Sequence, residues 1–600
     1  MCGFYVNTNA AQVDSDWVSR YLASMRGSDA VESLKFNQSL LIHSRLEITG
    51  GINGRQPCRS EDGRFALVFN GEIFNGTEVA DFYGILVSHL HGSDTAILFK
   101  LLCEVGVECI ARIEGQFAFC FMDIANDIYW IGRDIFGVKP LYYSARDGDF
   151  LVVSDPCLGT RRKSVDLEKM LPSILAYNFN PSNSAIFYDV VELDPGKVLR
   201  WSKKAPDPTV VLDFSINSEI WKDELASRCF LRKMTKPSIR ACCRHLLMKS
   251  VSSQIPRDVE FGLMLSGGID STILAILCVE LGFKPLCFTV EFDGPQEAGF
   301  SDDRVNAAEV ARKLGLSLVK VPVTIKDLDR FISDCAFLKS EVSADPAGFL
   351  TSRICSEASK KYGLKVLLSG VGADEIFGGY RRYLLAKYIG PWKFFGGVVD
   401  RDYFRPLVDL VLGHRRSRRL VSMLKSDGGA EVFTRWLSDH QISEILNVNT
   451  SCRVARLGLT NGDSDTCEIK DYRDLMDLDI LNFNMKNNLR YADYFGLKNN
   501  IEIRVPFLNK NILFFSRAIS GSCVISWFRS KVLLRELIKE SSCAFVLHQK
   551  KAGFGIPLNL WLGKTESLKK SDLFKSSFAT NHSYSVLTLM MLRSLVKGET

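Results

Sequence analysis

The pattern of apolar residues changes character between residues 205 and 236, and a 600-residue chain with two such textures must build at least two cores. Before the break, short apolar runs alternate with Gly, Asn and Asp. Phe65-Ala66-Leu67-Val68-Phe69, Phe117-Ala118-Phe119-Cys120-Phe121, Tyr129-Trp130-Ile131-Gly132, Pro140-Leu141-Tyr142-Tyr143 and Leu151-Val152-Val153 are of this kind. Runs this short, bounded by turn residues, read as strands of a packed sheet. Lys203-Lys204-Ala205-Pro206-Asp207-Pro208 has turn and linker chemistry. The expected division is a first domain at 2–205, a linker at 206–235 and a second domain at 236–600.

After the break, strand and helix patterns take turns. Phe261-Gly262-Leu263-Met264-Leu265 reads as a strand, and Ser271 to Leu281 is apolar at helical spacing. Pro285 to Phe292 is a strand, Val305 to Gly315 a helix, and Leu318 to Val323 and Lys365-Val366-Leu367-Leu368 are strands again. Such alternation predicts a doubly wound parallel sheet with helices on both faces. From about residue 384 the pattern is mostly helical, so the fold class is a multidomain α/β protein.

Composition excludes several function classes. A net charge of +6 is slight over this length, and the tightest basic cluster, His414-Arg415-Arg416 with Arg418-Arg419, has no interleaved aromatics. It reads as a solvated helix face, with no nucleic-acid partner expected. No uncharged apolar run reaches the ~18 residues of a membrane span, and no signal-peptide pattern opens the chain. Seventeen cysteines are scattered, odd in number and without a C-x-x-C pair, which reads as reduced thiols in a cytoplasmic protein.

The chemistry begins at Met1-Cys2-Gly3. Removal of the initiator Met would leave Cys2 carrying an α-amine that titrates near ~8 and can take the thiol's proton. One residue then supplies both nucleophile and base. The bland alternative is an accident of sequence. Three polar clusters follow at the ends of apolar runs: His43-Ser44-Arg45-Leu46, Asn70-Gly71-Glu72-Ile73-Phe74-Asn75 and Gly92-Ser93-Asp94. Each alone reads as a turn. With Cys2 they supply what hydrolysis of a small amino-acid amide needs. Arg45 can clasp an α-carboxylate, Glu72 and Asp94 can neutralise an ammonium, and Asn70 with the Gly71 N–H can cradle an oxyanion.

These segments, with Gly132-Arg133-Asp134-x-x-Gly-x-Lys-Pro-Leu-Tyr-Tyr, resemble in kind and order the class II glutamine amidotransferase domain of asparagine synthetases. The resemblance implies a four-layer αββα N-terminal-nucleophile fold. It also implies Cys2 as the nucleophile that releases ammonia from glutamine through a thioester. Arg45, Asn70, Gly71, Glu72 and Asp94 would hold glutamine, Asn70 and Gly71 lining the oxyanion hole.

In the second half, Ser266-Gly267-Gly268-Ile269-Asp270-Ser271 lies between a predicted strand and a predicted helix. Two glycines let successive N–H groups converge, and the helix N-terminus adds partial positive charge, which makes a pyrophosphate cradle. No Gly-Lys follows, so it is not a Walker loop. A second cluster, Ser369-Gly370-Val371-Gly372-Ala373-Asp374-Glu375-Ile376-Phe377-Gly378-Gly379-Tyr380, follows another strand. Asp270 and Asp374 are hard oxygen ligands suited to Mg²⁺.

The first loop resembles that of the ATP pyrophosphatases. Glu502-Ile503-Arg504-Val505-Pro506-Phe507-Leu508 and Lys550-Lys551-Ala552-Gly553-Phe554-Gly555 are similar to asparagine synthetase segments. An isolated Lys550-Lys551 would otherwise read as an exposed basic pair. The family implies ATP bound by Leu265, Ser266, Gly267, Gly268, Asp270, Ser271, Val290, Ser369 and Gly370. Lys551 would steady charge at the α-phosphate, Mg²⁺ would sit at Asp270 and Asp374, and a carboxylate acceptor would be activated as its acyl-adenylate. Ammonia would travel between the sites by an internal passage, and a homodimer is the assembly the resemblance leaves open.

One position departs from the family. Val371 stands where asparagine synthetases carry Glu beside the acceptor. Aspartate is the expected acceptor, with another carboxylate from surface-polysaccharide or natural-product chemistry as the alternative. Ring closure of the β-lactam synthetase or lasso-cyclase type and a non-catalytic scaffold are the remaining readings. The first is opposed by the retained Cys2, Arg45 and Asn70-Gly71-Glu72 set.

Overall fold

A computed structural model describes residues 2–90, 92–162, 167–293, 303–333, 345–393, 434–435, 442, 471–526, 529–549 and 561. Its first half holds two antiparallel six-stranded sheets. One runs, in spatial order, Val191–Glu192, Tyr142–Arg146, Asp149–Val153, Cys2–Asn7, Ser39–Arg45 and Ala30–Phe36. The other runs Ala205–Asp213, Lys197–Ser202, Ile128–Arg133, Gly115–Asp123, Phe65–Ile73 and Cys58–Arg59.

Side-chain alternation explains how these sheets stack. Phe4 and Val6 of one sheet pack with Ala66, Val68, Ala118 and Cys120 of the other, closing an inner core. The intervening Tyr5 points to the opposite face and meets Val18 and Leu22 of the helix Ser15–Met25. Leu67 and Phe69 likewise face outward and share a core with Ile97, Leu98 and Leu101 of the helix Asp94–Glu104. The result is four layers, helix–sheet–sheet–helix. Strands buried on both faces are apolar throughout, which is why they read as continuous runs. The Tyr142–Arg146 strand begins two residues after Pro140, which has no N–H to give a ladder.

The segment 206–235 differs from an extended connector. Lys203 and Lys204 lie between two antiparallel strands, and Ala205–Asp213 forms the edge of the second sheet. Pro206 and Pro208 are accommodated because only an edge strand tolerates missing donors. The chain then forms the helix Glu219–Ser227, whose Trp221 stacks on Phe514 of the second half at 3.9 Å between ring centroids.

The second half is built on a five-stranded parallel sheet ordered Leu318–Val323, Leu286–Phe292, Phe261–Met264, Val366–Leu368 and Glu502–Arg504. In chain order this is 3-2-1-4-5, so the winding reverses between Phe261–Met264 and Val366–Leu368. Loops leaving the carboxyl ends of strands beside such a reversal enclose the crevice where ligands bind.

The halves dock through charged side chains. Arg26 pairs with Asp493, Arg490 with Glu192, and Lys365 Nζ lies 2.7 Å from Asp29. Lys510 Nζ donates to the Ala111 carbonyl at 2.7 Å, and Gln116 Nε2 donates to Gln254 Oε1 at 3.2 Å.

Candidate active sites

The first site forms where three strand ends meet. Cys2 pairs in register with Arg45 across the antiparallel ladder, which sets the backbone of the would-be nucleophile beside the arginine. The Arg45 side chain is largely buried, its Nη2 donates to the Thr49 carbonyl at 3.1 Å, and Gly54 leaves room for it. Asn70, fully buried and in the alternation of Ala66 and Val68, and Gly71, in that of Leu67 and Phe69, lie near the end of the strand Phe65–Ile73. Gly71 has φ +146°, and a Cβ there would collide with the Gln116 carbonyl oxygen. Only glycine fits this position.

Asp94 is the first residue of the helix Asp94–Glu104, whose N-cap Ser93 accepts from the Ala96 N–H at 3.3 Å. Its carboxylate accepts from the Ile73 N–H at 3.2 Å and the Thr95 N–H at 2.7 Å. These bonds fix it against the Asn70-Gly71-Glu72 segment. Burial nonetheless pushes its pKa up to about 6, and nearby Glu502 pushes the same way.

Glu72 has a partner that sequence reasoning did not supply. Its carboxylate pairs with Arg504 of the other half. Arg504 is fully buried, its Nε lies 3.0 Å from Glu502 Oε1, and its Nη1 donates to the Gln254 carbonyl at 2.8 Å. The Glu502-to-Leu508 segment was singled out by resemblance alone. A buried Arg in a charged–apolar alternation gives no sign of which carboxylate it meets.

The second site lies at the winding reversal. Gly267 takes φ +73°, and a Cβ there would strike the backbone N of Ala307 at 2.6 Å. Gly268 caps the helix Ile269–Glu280 without a side-chain bond. Ser266 Oγ lies 3.1 Å from Ser271 Oγ and accepts from the Gly268 N–H at 3.3 Å, so the loop is pinned at both ends. Leu265 donates its N–H to the Phe288 carbonyl, and both it and Val290 are buried in the core. Gly370 lies against this loop: its Cβ would meet Asp270 Cβ at 3.1 Å. The Ser369 N–H donates to the Arg504 carbonyl at 2.9 Å.

Asp270 and Asp374 come together, with Lys531 between them. Its Nζ lies 2.6 Å from both Asp270 oxygens and 2.6 Å from Asp374 Oδ1. Burial works against the charge on Lys531, but the two aspartates outweigh it and hold its pKa above the ordinary lysine value. Lys531, buried and with φ +53°, was missed because an isolated Lys between Ser530 and Val532 has no motif around it. Gly379 packs on the same pair, where any Cβ would clash with Asp374.

Next to it, the Tyr380 hydroxyl donates to Glu375 Oε1 at 2.9 Å, while burial, with Asp374 alongside, pushes the Glu375 carboxyl up to about 7. Val371 is partly buried against the apolar core. Lys551 lies outside the described residues.

The structure thus joins a strand-end cluster on a four-layer sandwich to a glycine-bearing crevice on a parallel sheet. The family profile for asparagine synthase matches residues 243–596, more than half of the chain. The chain belongs to the asparagine synthase family. A glutamine amidotransferase domain profile matches residues 1–210. This member of the family is 27% identical over 531 residues to glutamine-hydrolyzing asparagine synthetase 1 of Bacillus subtilis, covering 86% of this chain and 80% of that protein. It is 27% identical over 368 residues to asparagine synthetase B of Escherichia coli, covering 59% of each. Amidase chyE of Penicillium rubens is similar over 605 residues at 23% identity, covering 90% of this chain and 84% of that protein.

Proposed function

We propose that this asparagine synthase family member hydrolyses glutamine at the first site and uses the ammonia at the second, on a carboxylate activated by ATP as an acyl-adenylate, with AMP and pyrophosphate released. The observation that carries the proposal is the ladder register of Cys2 opposite Arg45, on a strand whose His43 reaches the Phe69 carbonyl just before Asn70-Gly71-Glu72, the segment that Asp94 meets at the Ile73 N–H.

In this reading, removal of Met1 frees the Cys2 amine to accept the thiol proton, and the sulfur attacks the glutamine carboxamide. The side-chain amide of Asn70 and the backbone N–H of Gly71 receive the oxyanion, Arg45 orients the α-carboxylate, and Asp94 with Glu72 faces the α-ammonium.

At the second site the N–H groups of Ser266 to Gly268 and the helix behind them bind the pyrophosphate portion of ATP. Asp270 and Asp374 suit Mg²⁺, since they already share a cation in Lys531, and the metal would neutralise phosphate charge there. Lys531 and Lys551 provide the fixed positive charge. Reduced thiols such as buried Cys243, Cys278 and Cys355 suit a cytoplasmic setting.

Aspartate is the proposed acceptor. Val371, apolar and turned toward the core, favours a second reading in which a less polar carboxylate takes its place. Release of glutamate from glutamine by the wild type and its loss in Cys2→Ala test the first step. Glutamate release undiminished in Cys2→Ala would overturn the nucleophile. AMP and pyrophosphate formation across a panel of carboxylates, with ammonium supplied, identifies the acceptor. Mass spectrometry showing Met1 retained on active protein would refute the amine-assisted attack.

A further inference from the structure

Arg504 touches both sites through two different groups. Its guanidinium holds Glu72 at the end of the strand that also carries Asn70 and Gly71. Its carbonyl oxygen accepts the N–H of Ser369, the first residue of the loop that faces Asp270 and carries Asp374. The guanidinium is held from the other sides by Glu502 and by the Gln254 carbonyl. Gln254 also bonds Gln116, and Gln116 is the ladder partner of Glu72. A closed ring of buried contacts therefore runs from Glu72 through Arg504 and Gln254 to Gln116 and back. On the synthetase side this ring reaches the Ser369 loop through the Arg504 carbonyl.

Charge adds a direction to this geometry. Glu72 and Glu502 share the one buried guanidinium of Arg504, and Asp94 is close enough to Glu502 to feel its charge. An ammonium arriving at Glu72 competes with Arg504 for that carboxylate. A shift of Arg504 that reaches its backbone moves the carbonyl to which Ser369 is bonded.

We propose that Arg504 is a positioning residue that sets Glu72 for the α-ammonium of glutamine and, through its backbone, couples occupancy of the glutamine site to the Ser369–Asp374 nucleotide loop. The inference rests on the reading of the first site as a glutaminase. Coupling of two binding equilibria is reciprocal, so a nucleotide in the second site must alter glutamine affinity by the same factor as glutamine alters nucleotide affinity.

The experiment uses the full-length protein in three forms: wild type, Arg504→Gln and Arg504→Lys. Glutamate release is measured against glutamine concentration, with and without Mg-ATP. Arg504→Gln is expected to raise the glutamine KM roughly tenfold while kcat changes less than about threefold, and to abolish the effect of Mg-ATP on KM. Arg504→Lys, which keeps the charge, is expected to recover most of the KM. A KM in Arg504→Gln equal to that of the wild type overturns the proposal.

A second measurement does not depend on the Arg504 variants folding. Amide hydrogen exchange is followed in full-length Cys2→Ala, which retains Arg504, with and without saturating L-glutamine. Exchange in the peptide spanning 366–372, which contains the Ser369 amide, is expected to change severalfold, and Mg-ATP is expected to change exchange across 70–74. Unchanged exchange in both peptides overturns the coupling. Absence of glutamate release by the wild type would sink the glutaminase reading instead, and the exchange measurement would still decide whether the two loops are linked.

Discussion

Replacing Lys531 by Met gives a perturbation whose size follows from the geometry. The Lys531 ammonium lies 2.6 Å from carboxylate oxygens of both Asp270 and Asp374, so those oxygens are separated by no more than twice that distance. Removing the ammonium leaves two negative groups facing each other. Their repulsion at about 5 Å with an effective dielectric of about 20 is ~3 kcal/mol. Losing one partner of a buried charge cluster costs about 3–5 kcal/mol by itself.

The variant can relieve this by binding a proton on one aspartate. At pH 7 that costs about 4 kcal/mol, from an ordinary value near ~3.9 and 1.36 kcal/mol per unit. The destabilisation is therefore capped near 4 kcal/mol at pH 7 and falls by about 1.4 kcal/mol per unit as the pH is lowered toward 5. The sign follows from linkage. The variant carries an aspartate whose folded pKa is raised, so stability is retained at low pH and lost as pH rises. Thermal unfolding at pH 7 should show a melting temperature roughly 3–5 °C below wild type, since ~4 kcal/mol is set against the unfolding entropy of a large domain at ~2.1 cal/mol/K per residue, with a gap that narrows at pH 5. A melting temperature within 2 °C of wild type at pH 7, or a gap independent of pH, would refute the cation-bridge argument.

Other consequences are more direct. Gly71→Ala forces a side chain into the Gln116 carbonyl at a backbone conformation that L residues avoid, and glutamate release should fall at least about a hundredfold. Ammonium-dependent pyrophosphate release should survive in the same protein. Burial holds the Asp94 carboxyl up at about 6, and it must be ionised to meet an ammonium. A log plot of kcat/KM for glutamine hydrolysis should therefore fall with unit slope as pH drops below about 6, and a profile flat to pH 5 would count against its role. Restoring Glu at position 371 with Val371→Glu should lower AMP formation with apolar carboxylates relative to aspartate, read by competition between the two acceptors.

The sandwich was legible in the sequence because strands buried on both faces have to be apolar at every position. Phe65–Phe69 and Phe117–Phe121 could be little else, and the structure divides each between an inner core and a helix-covered face. The parallel sheet was legible for the opposite reason, since its strands alternate with helices long enough to show their own spacing. The edge strand Glu502–Arg504 escaped because three residues are too few to establish a period. The hairpin at Lys203-Lys204 escaped because prolines on an edge strand look like the prolines of a linker.

The sites divide along a similar line. Loops such as Ser266 to Ser271 announce themselves through glycine, whose placement is a backbone requirement expressed locally in sequence. Lys531 and Arg504 carry no such mark. Lys531 reaches Asp270 across 261 residues, and Arg504 reaches Glu72 across 432. Their meaning lies wholly in partners brought close by folding. Both are buried cations set among carboxylates, and each is stable only because the fold surrounds it with acidic partners. They differ in reach: both aspartate partners of Lys531 lie in its own half, whereas Arg504 draws Glu72 from the other, so it is the Arg504 pair that ties the chemistry of the first site to the packing between the halves.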